Sequence, residues 1–203
     1  MSESTVRQYF VLSGGMSSDF FINLEGALGI LEVDFSLDIR FSETRPLGHG
    51  QTSHFYASDD GRIHLTVTED ENLMFRYIML EGDETEVRRS GTLIADKLPV
   101  RFLREWQEMA RVEMKQDPTL LVKLAIASSE ASDAYSLEIL RAGLGDGSRK
   151  VRLMAVEAAS LTQWPALASD LAKAYESDTD DDVRRLAGQA LQLLLTANPQ
   201  GGH

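Results

Sequence analysis

A chain of 203 residues, 43% hydrophobic and 26% charged, can form one large or two small globular domains around a real core. It has no cysteine, which excludes disulfides and thiolate chemistry and makes the cytoplasm the expected compartment. The net charge of −12 is uneven: residues 1–97 hold 17 acidic and 8 basic side chains, and residues 98–203 hold 15 and 12. Such a first half repels phosphate backbones, so direct nucleic-acid binding is not expected, whereas a basic protein would be steered towards it. The apolar run LQLLL (Leu191 to Leu195) falls far short of a membrane span, and MSESTVRQYF lacks the basic start and apolar stretch of a signal peptide. No membrane partner is expected.

In chain order, RQYFVLS (Arg7 to Ser13) predicts a first strand, followed by a Gly-Ser loop and a short strand FFINLE (Phe20 to Glu25). LEVDFSLDIRF then places Leu31, Val33, Phe35, Leu37, Ile39 and Phe41 on one face and Glu32, Asp34, Ser36, Asp38 and Arg40 on the other. Alternation of this kind predicts a half-buried strand of an antiparallel sheet. HFYASDDGRIHLTVT (His54 to Thr68) predicts a hairpin with a three-residue loop at Asp59, Asp60 and Gly61, Gly61 being left-handed. That register sets Ala57 against Ile63 and Phe55 against Leu65. NLMFRYIML (Asn72 to Leu80) and TEVRRSGTLIA (Thr85 to Ala95) continue the meander, with EGDE between them as the turn.

From Leu98 the period becomes helical. LPVRFLREWQEMARVEMKQ gathers Val100, Leu103, Trp106, Met109, Ala110 and Met114 near one face, with Pro99 suited to a first turn. Helical segments follow in PTLLVKLAIAS, AYSLEILRAGL, RKVRLMAVEAASL, PALASDLAKAYES and DDVRRLAGQALQLLL, and the tail NPQGGH is expected to be disordered. The expected fold is α+β: an antiparallel β-sheet domain over residues 1–97, then an all-α repeat domain over 98–203.

The last four segments superpose at a spacing of 32 residues: Ile139 on Leu171, Asp146 on Asp178, Val151 on Val183, Arg152 on Arg184, Ala155 on Ala187 and Ala158 on Ala190. One step back, Leu121, Val122, Leu124 and Ala127 fall on Leu153, Met154, Val156 and Ala159, a degenerate earlier copy. A lone helical hairpin cannot bury its own apolar stripe, and small alanines let neighbours approach closely to cover it. An aspartate in the turn, Val-Arg early in the second helix and spaced alanines together resemble the HEAT repeat family, in the short form of bacterial adaptor and lyase-type proteins. The resemblance covers about residues 119–196. It implies an α-solenoid that binds macromolecules. It also implies that Asp146, Arg152, Asp178 and Arg184 tie adjacent hairpins together by charge-assisted hydrogen bonds.

Chemistry is harder to find. His49, His54 and His64 lie close in sequence, and His54 and His64 share the polar face in the predicted hairpin register; they are the weak candidates for a metal site, which solvent-facing histidines rarely form. Glu32, Asp34 and Asp38 would line one acidic row on the outer face of their strand, but an exposed row lacks the cleft that shifts catalytic pKa values. LSGGMSSD lacks the lysine of a phosphate cradle. No catalytic set, cofactor or metal is expected. The leading expectation is a non-enzymatic protein-interaction module for a basic protein, met by Glu32, Asp34 and Asp38, with an immunity-type inhibitor of a toxin as its concrete form. A secretion or assembly chaperone or adaptor comes next, and a lyase-like enzyme with a site between the two domains is the competitor.

Overall fold

The computed structural model describes residues 5–128 and 132–197, and the chain divides after Arg101 into two units. The tail from Asn198 to His203 lies outside the described residues. In the first unit, β1 (Thr5–Leu12), β2 (Ile39–Gly48), β3 (Gln51–Ser58), β4 (Ile63–Asp70), β5 (Phe75–Asp83) and β6 (Val100–Arg101) form one antiparallel sheet, ordered β2-β3-β4-β5-β1-β6. Helices α1 (Phe20–Phe35) and α2 (Glu84–Lys97) cover one face. The core between them holds Phe10 and Leu12 of β1, Leu24, Leu28 and Leu31 of α1, Ile63, Leu65 and Val67 of β4, Ile78 and Leu80 of β5, and Val87 and Ile94 of α2.

The sheet and the following helical region agree with the sequence-based expectation, but two segments change type. Leu31–Phe41 is not a strand. Phe20, Leu24, Ala27, Leu28 and Leu31 recur at helical spacing and are all buried, and this stripe carries the helix on through Phe35. Leu31 is fully buried while Val33 is 80% exposed, although alternation puts both on one face. Ser36, left-handed at φ 54, ends the helix: its N–H donates to Glu32 O and the Leu37 N–H to Leu31 O. The predicted strand FFINLE is the first turns of this same helix.

Thr85–Ala95 is also helical. Asp83 caps it by accepting from the N–H groups of Thr85 and Glu86, and Val87, Ser90, Gly91 and Ile94 form its buried stripe. EGDE is thus the end of β5 and a helix cap. β5 itself begins at Phe75, after turn residues 71–74.

The β3–β4 hairpin differs by one residue from the predicted register: Tyr56 faces Leu65 and Ala57 faces His64. Gly61 is left-handed at φ 71, but Tyr56 and Ser58 point inward instead of Phe55 and Ala57. Ser58 can do so because its hydroxyl donates to Asp60 Oδ1 (2.8 Å) and accepts from the Ile63 N–H (3.2 Å). A buried hydroxyl with two local partners costs little. Matching apolar to apolar residues ignores that option.

The second unit consists of α3 (Leu103–Glu113), α4 (Thr119–Ala127), α5 (Ala134–Leu144), α6 (Arg149–Thr162), a 3-10 turn (Pro165–Leu167), α7 (Ala168–Ser177) and α8 (Asp181–Ala197). Residues 98–102 do not join α3. The Pro99 carbonyl accepts from the Ser13 N–H and hydroxyl, and Val100 and Arg101 pair with β1, so Pro99 belongs to an extended segment. Three hairpins result, α3/α4, α5/α6 and α7/α8, with α4, α6 and α8 stacked in one row and α3, α5 and α7 in the other.

The helical phase of Leu31 and Val33 is testable. Leu31→Asp buries an unpaired charge and should cost about 3–5 kcal/mol in urea unfolding, whereas Val33→Asp should change the midpoint little. Equal losses would restore the strand.

Candidate protein-binding surfaces

The hairpins of the second unit are joined by a repeated set of polar contacts. Asp146 and Asp178 occupy equivalent turns, and each carboxylate accepts a backbone N–H two residues on, from Ser148 (2.7 Å) and Asp180 (2.9 Å). Arg152 and Arg184 each donate through Nη1 to the carbonyl of their own turn's aspartate, at 2.9 and 2.5 Å. Arg152 also reaches forward, gripping the Asp178 carboxylate with Nε (2.7 Å) and Nη2 (3.0 Å). This is the two-pronged geometry in which a guanidinium binds a carboxylate best.

The carboxyl of Asp178 lies below its usual range. Burial works against its charge, but the hydrogen bonds from Arg152 and the Asp180 N–H more than offset that. Asp146 receives its forward contact from Lys115, at 3.6 Å. Lys115 therefore takes the arginine's place in the degenerate first repeat, a substitution that matching Val-Arg pairs misses. Two further ties lie outside the repeated motif. Arg141 bonds Asp170 (3.0 Å) and the Ala166 carbonyl (2.7 Å), and Arg149 bonds Asp180 (2.5 Å) and Asp182 (2.6 Å). Their spacings of 29, 31 and 33 residues bracket the repeat length, and that was the available signal. A cleft of about 440 Å³ between the second and third hairpins is lined by Arg141, Arg152, Asp170, Lys173 and Asp178. Four of these five charges are spent on each other.

In the first unit the acidic residues do not form a strand row. Glu32 and Asp34 are exposed on the last turn of α1, and Asp38 lies beyond it, before β2. Asp38 accepts from Arg40 Nε at 2.6 Å. Arg40 is held charged above its usual range by that bond and by the charges of Asp38, Asp59 and Glu32. Glu32, Asp38 and Asp59 thus act together on one exposed cation.

The histidines separate as well. His54 lies on the helix-covered face, His64 on the opposite face, and His49 in the β2–β3 turn. Among the described residues no group of three His, Asp or Glu side chains is placed to hold a metal. His54 instead joins a closed network. Its Nδ1 pairs with Thr44 Oγ1 (2.9 Å) and its Nε2 with Glu69 Oε2 (3.1 Å), while Arg76 donates to Glu69 and to the Ser17 carbonyl (2.6 Å). Arg76 lies 5.0 Å from the Phe20 ring centroid and 5.5 Å from that of Phe21, fixing the start of α1 over the sheet. Burial opposes the charge of Glu69, but bonds from His54 and Arg76 keep its carboxyl below the usual range. Every partner is internal, so the network fastens α1 down.

The Arg152–Asp178 bond carries a pH signature. A carboxyl whose pKa is lowered by folding stabilises fully above its unfolded value of about 3.9 and loses that contribution as pH falls through the folded value. Asp178→Asn should cost about 1–3 kcal/mol at pH 7, and its deficit against the parent should narrow below about pH 4. A deficit of the same size at pH 3 would remove the charge from the account.

Residues 110–192 match the family model for HEAT repeats. No curated protein matches the chain. Three stacked hairpins, a 32-residue register and this match agree with one another, and the C-terminal half of the chain carries HEAT repeats.

Proposed function

We propose that this chain is a non-enzymatic protein-binding module whose partner is a basic protein. The observation that carries the reading is the HEAT-repeat stack, an architecture whose extended surfaces serve protein recognition. The basic character of the partner is supported by the charge of the first half, where 17 acidic residues face 8 basic ones. Among the described residues no helix is long and apolar enough to cross a membrane. An immunity-type inhibitor, which blocks a basic toxin by covering it, is the concrete form of this reading. Glu32, Asp34 and Asp38 act in it as steering charges. Glu32 and Asp34 are exposed and Asp38 is half-buried around the end of α1, and charges of that kind at an interface rim govern on-rates more than off-rates.

The test is capture of partners from native lysate, followed by association kinetics of the Glu32→Gln/Asp34→Asn/Asp38→Asn variant at two salt concentrations. Slower association with a flatter salt dependence and an unchanged off-rate is expected. Identical kinetics would place the interface elsewhere, and an acidic partner would overturn the charge argument.

A further inference from the structure

The repeat register makes the exposed face of α8 interpretable. In α6, Arg152, Val156 and Ala159 form one stripe beside the buried row Val151, Ala155 and Ala158. Arg152 points forward to Asp178 of the following hairpin, and Val156 and Ala159 are buried. In α4 the equivalent positions Leu120 and Leu124 are buried as well. Thirty-two residues past α6, the stripe in α8 is Arg184, Gly188 and Leu191, extended by Leu195. Here the cover stops: Leu195 is 56% exposed, and Gly188 and Leu191 are half-buried.

Arg184 differs from Arg152 in what its forward edge holds. The side chain of Arg152 is 13% exposed and spends Nε and Nη2 on a carboxylate of the next hairpin. That of Arg184 is 37% exposed, and its Nη2 turns back to Asp181 on its own helix, itself 90% exposed. An open groove of about 580 Å³ runs beside this stripe, lined by Tyr175, Arg185, Gly188, Leu191 and Leu195. Gly188 is small for a reason: a methyl there would stand 2.8 Å from the Tyr175 ring. Tyr175, 53% exposed, forms one wall of the groove.

We infer that this face docks an α-helical hairpin of a partner protein, one that presents a carboxylate in its turn and seats on α8 as an added repeat. The apolar floor of Leu191 and Leu195 takes the hairpin's helices, and the Nε–Nη2 edge of Arg184 takes its carboxylate, displacing the exposed Asp181. Charge selects the occupant: Arg185 lines the groove and Arg184 heads the stripe beside it, and each is held by an exposed carboxylate of its own helix that a better-placed one can replace. The inference rests on the helical unit being a protein-binding module. It does not require the basic partner, whose steering charges lie in the other unit.

The probe is a fluorescent peptide of residues 165–197, whose Asp178 meets Arg152 in the native register, titrated onto the full chain and followed by anisotropy. Saturable binding is expected, weakened about tenfold by Arg184→Ala or by Leu195→Glu in the chain. Asp178→Asn in the peptide should lose the same factor and add nothing to Arg184→Ala. Both chain substitutions sit at exposed or half-exposed positions, and circular dichroism verifies that the helices persist. Absence of saturation up to about 1 mM peptide overturns the proposal, as does binding that neither substitution weakens, which would mean exchange with the native hairpin at Arg152. A concentration-dependent dimer in sedimentation that Leu195→Glu abolishes and the peptide fails to displace would assign the face to a second copy and overturn it too. Slower association of the basic partner on neutralising Glu32, Asp34 and Asp38 is read separately and leaves this titration unaffected.

Discussion

Near the middle of the helical unit, Gly143 of α5 comes so close to its neighbours that a methyl group on it would stand 2.9 Å from Leu121 of α4 and 3.0 Å from Ala155 of α6. Three helices from two hairpins meet at that point, and the missing side chain of Gly143 permits it. This spacing brings the turn of one hairpin within reach of the arginine of the one before. Ala155 and Ala158 of α6 and Ala187 and Ala190 of α8 are likewise small and buried, and Arg152 of α6 grips Asp178 of the next turn. Larger side chains would force the hairpins apart and take the carboxylate out of range. Close packing therefore comes first, and the polar ties record its register.

The same demand for cover explains the other unit by a different route. Its sheet has a continuous apolar face, and α1 and α2 each bring a single stripe to it. Polar contacts fix the position of the covering helix here as well. Arg76 holds Ser17 and stacks on Phe20 and Phe21, so the start of α1 is anchored at the edge of the core. Glu69 and His54 keep that arginine satisfied at little cost, because charge-assisted bonds replace the water it loses. In both units the charged groups that look chemically interesting in sequence are largely consumed in holding elements against one another. Among the described residues, the acidic end of α1 and the partly exposed face of α8 are surfaces not spent in this way.

The helical half was readable because its signal recurs. Val151 with Val183 and Ala155 with Ala187 are buried pairs at one spacing, and a mistake in one copy is corrected by the other. The β half offered each signal once. Leu31 to Phe41 alternates as well as any strand, yet a longer stripe beginning at Phe20 competes for the same residues, and the helix wins by burying Leu24, Leu28 and Leu31 together. Local alternation cannot weigh that gain, which exists only once the sheet is present. The misplaced acidic row follows from this one error, since Glu32, Asp34 and Asp38 share a face only in a strand. Of the expected ladder residues, Asp146, Arg152 and Asp178 take part in contacts between hairpins, whereas Arg184 bonds the Asp178 carbonyl and Asp181 of its own hairpin; Lys115, Arg141 and Arg149 lay outside the matched motif.

Equivalent small residues set the distance between neighbouring helices of the stack. Chemical denaturation of Ala155→Leu and Ala187→Leu tests it most directly, because both side chains are fully buried and neither takes part in a polar tie. Each substitution should overpack its contact and lower stability by about 1–3 kcal/mol. Unchanged stability in both would mean that the hairpins have room to spare, and the register would need another cause.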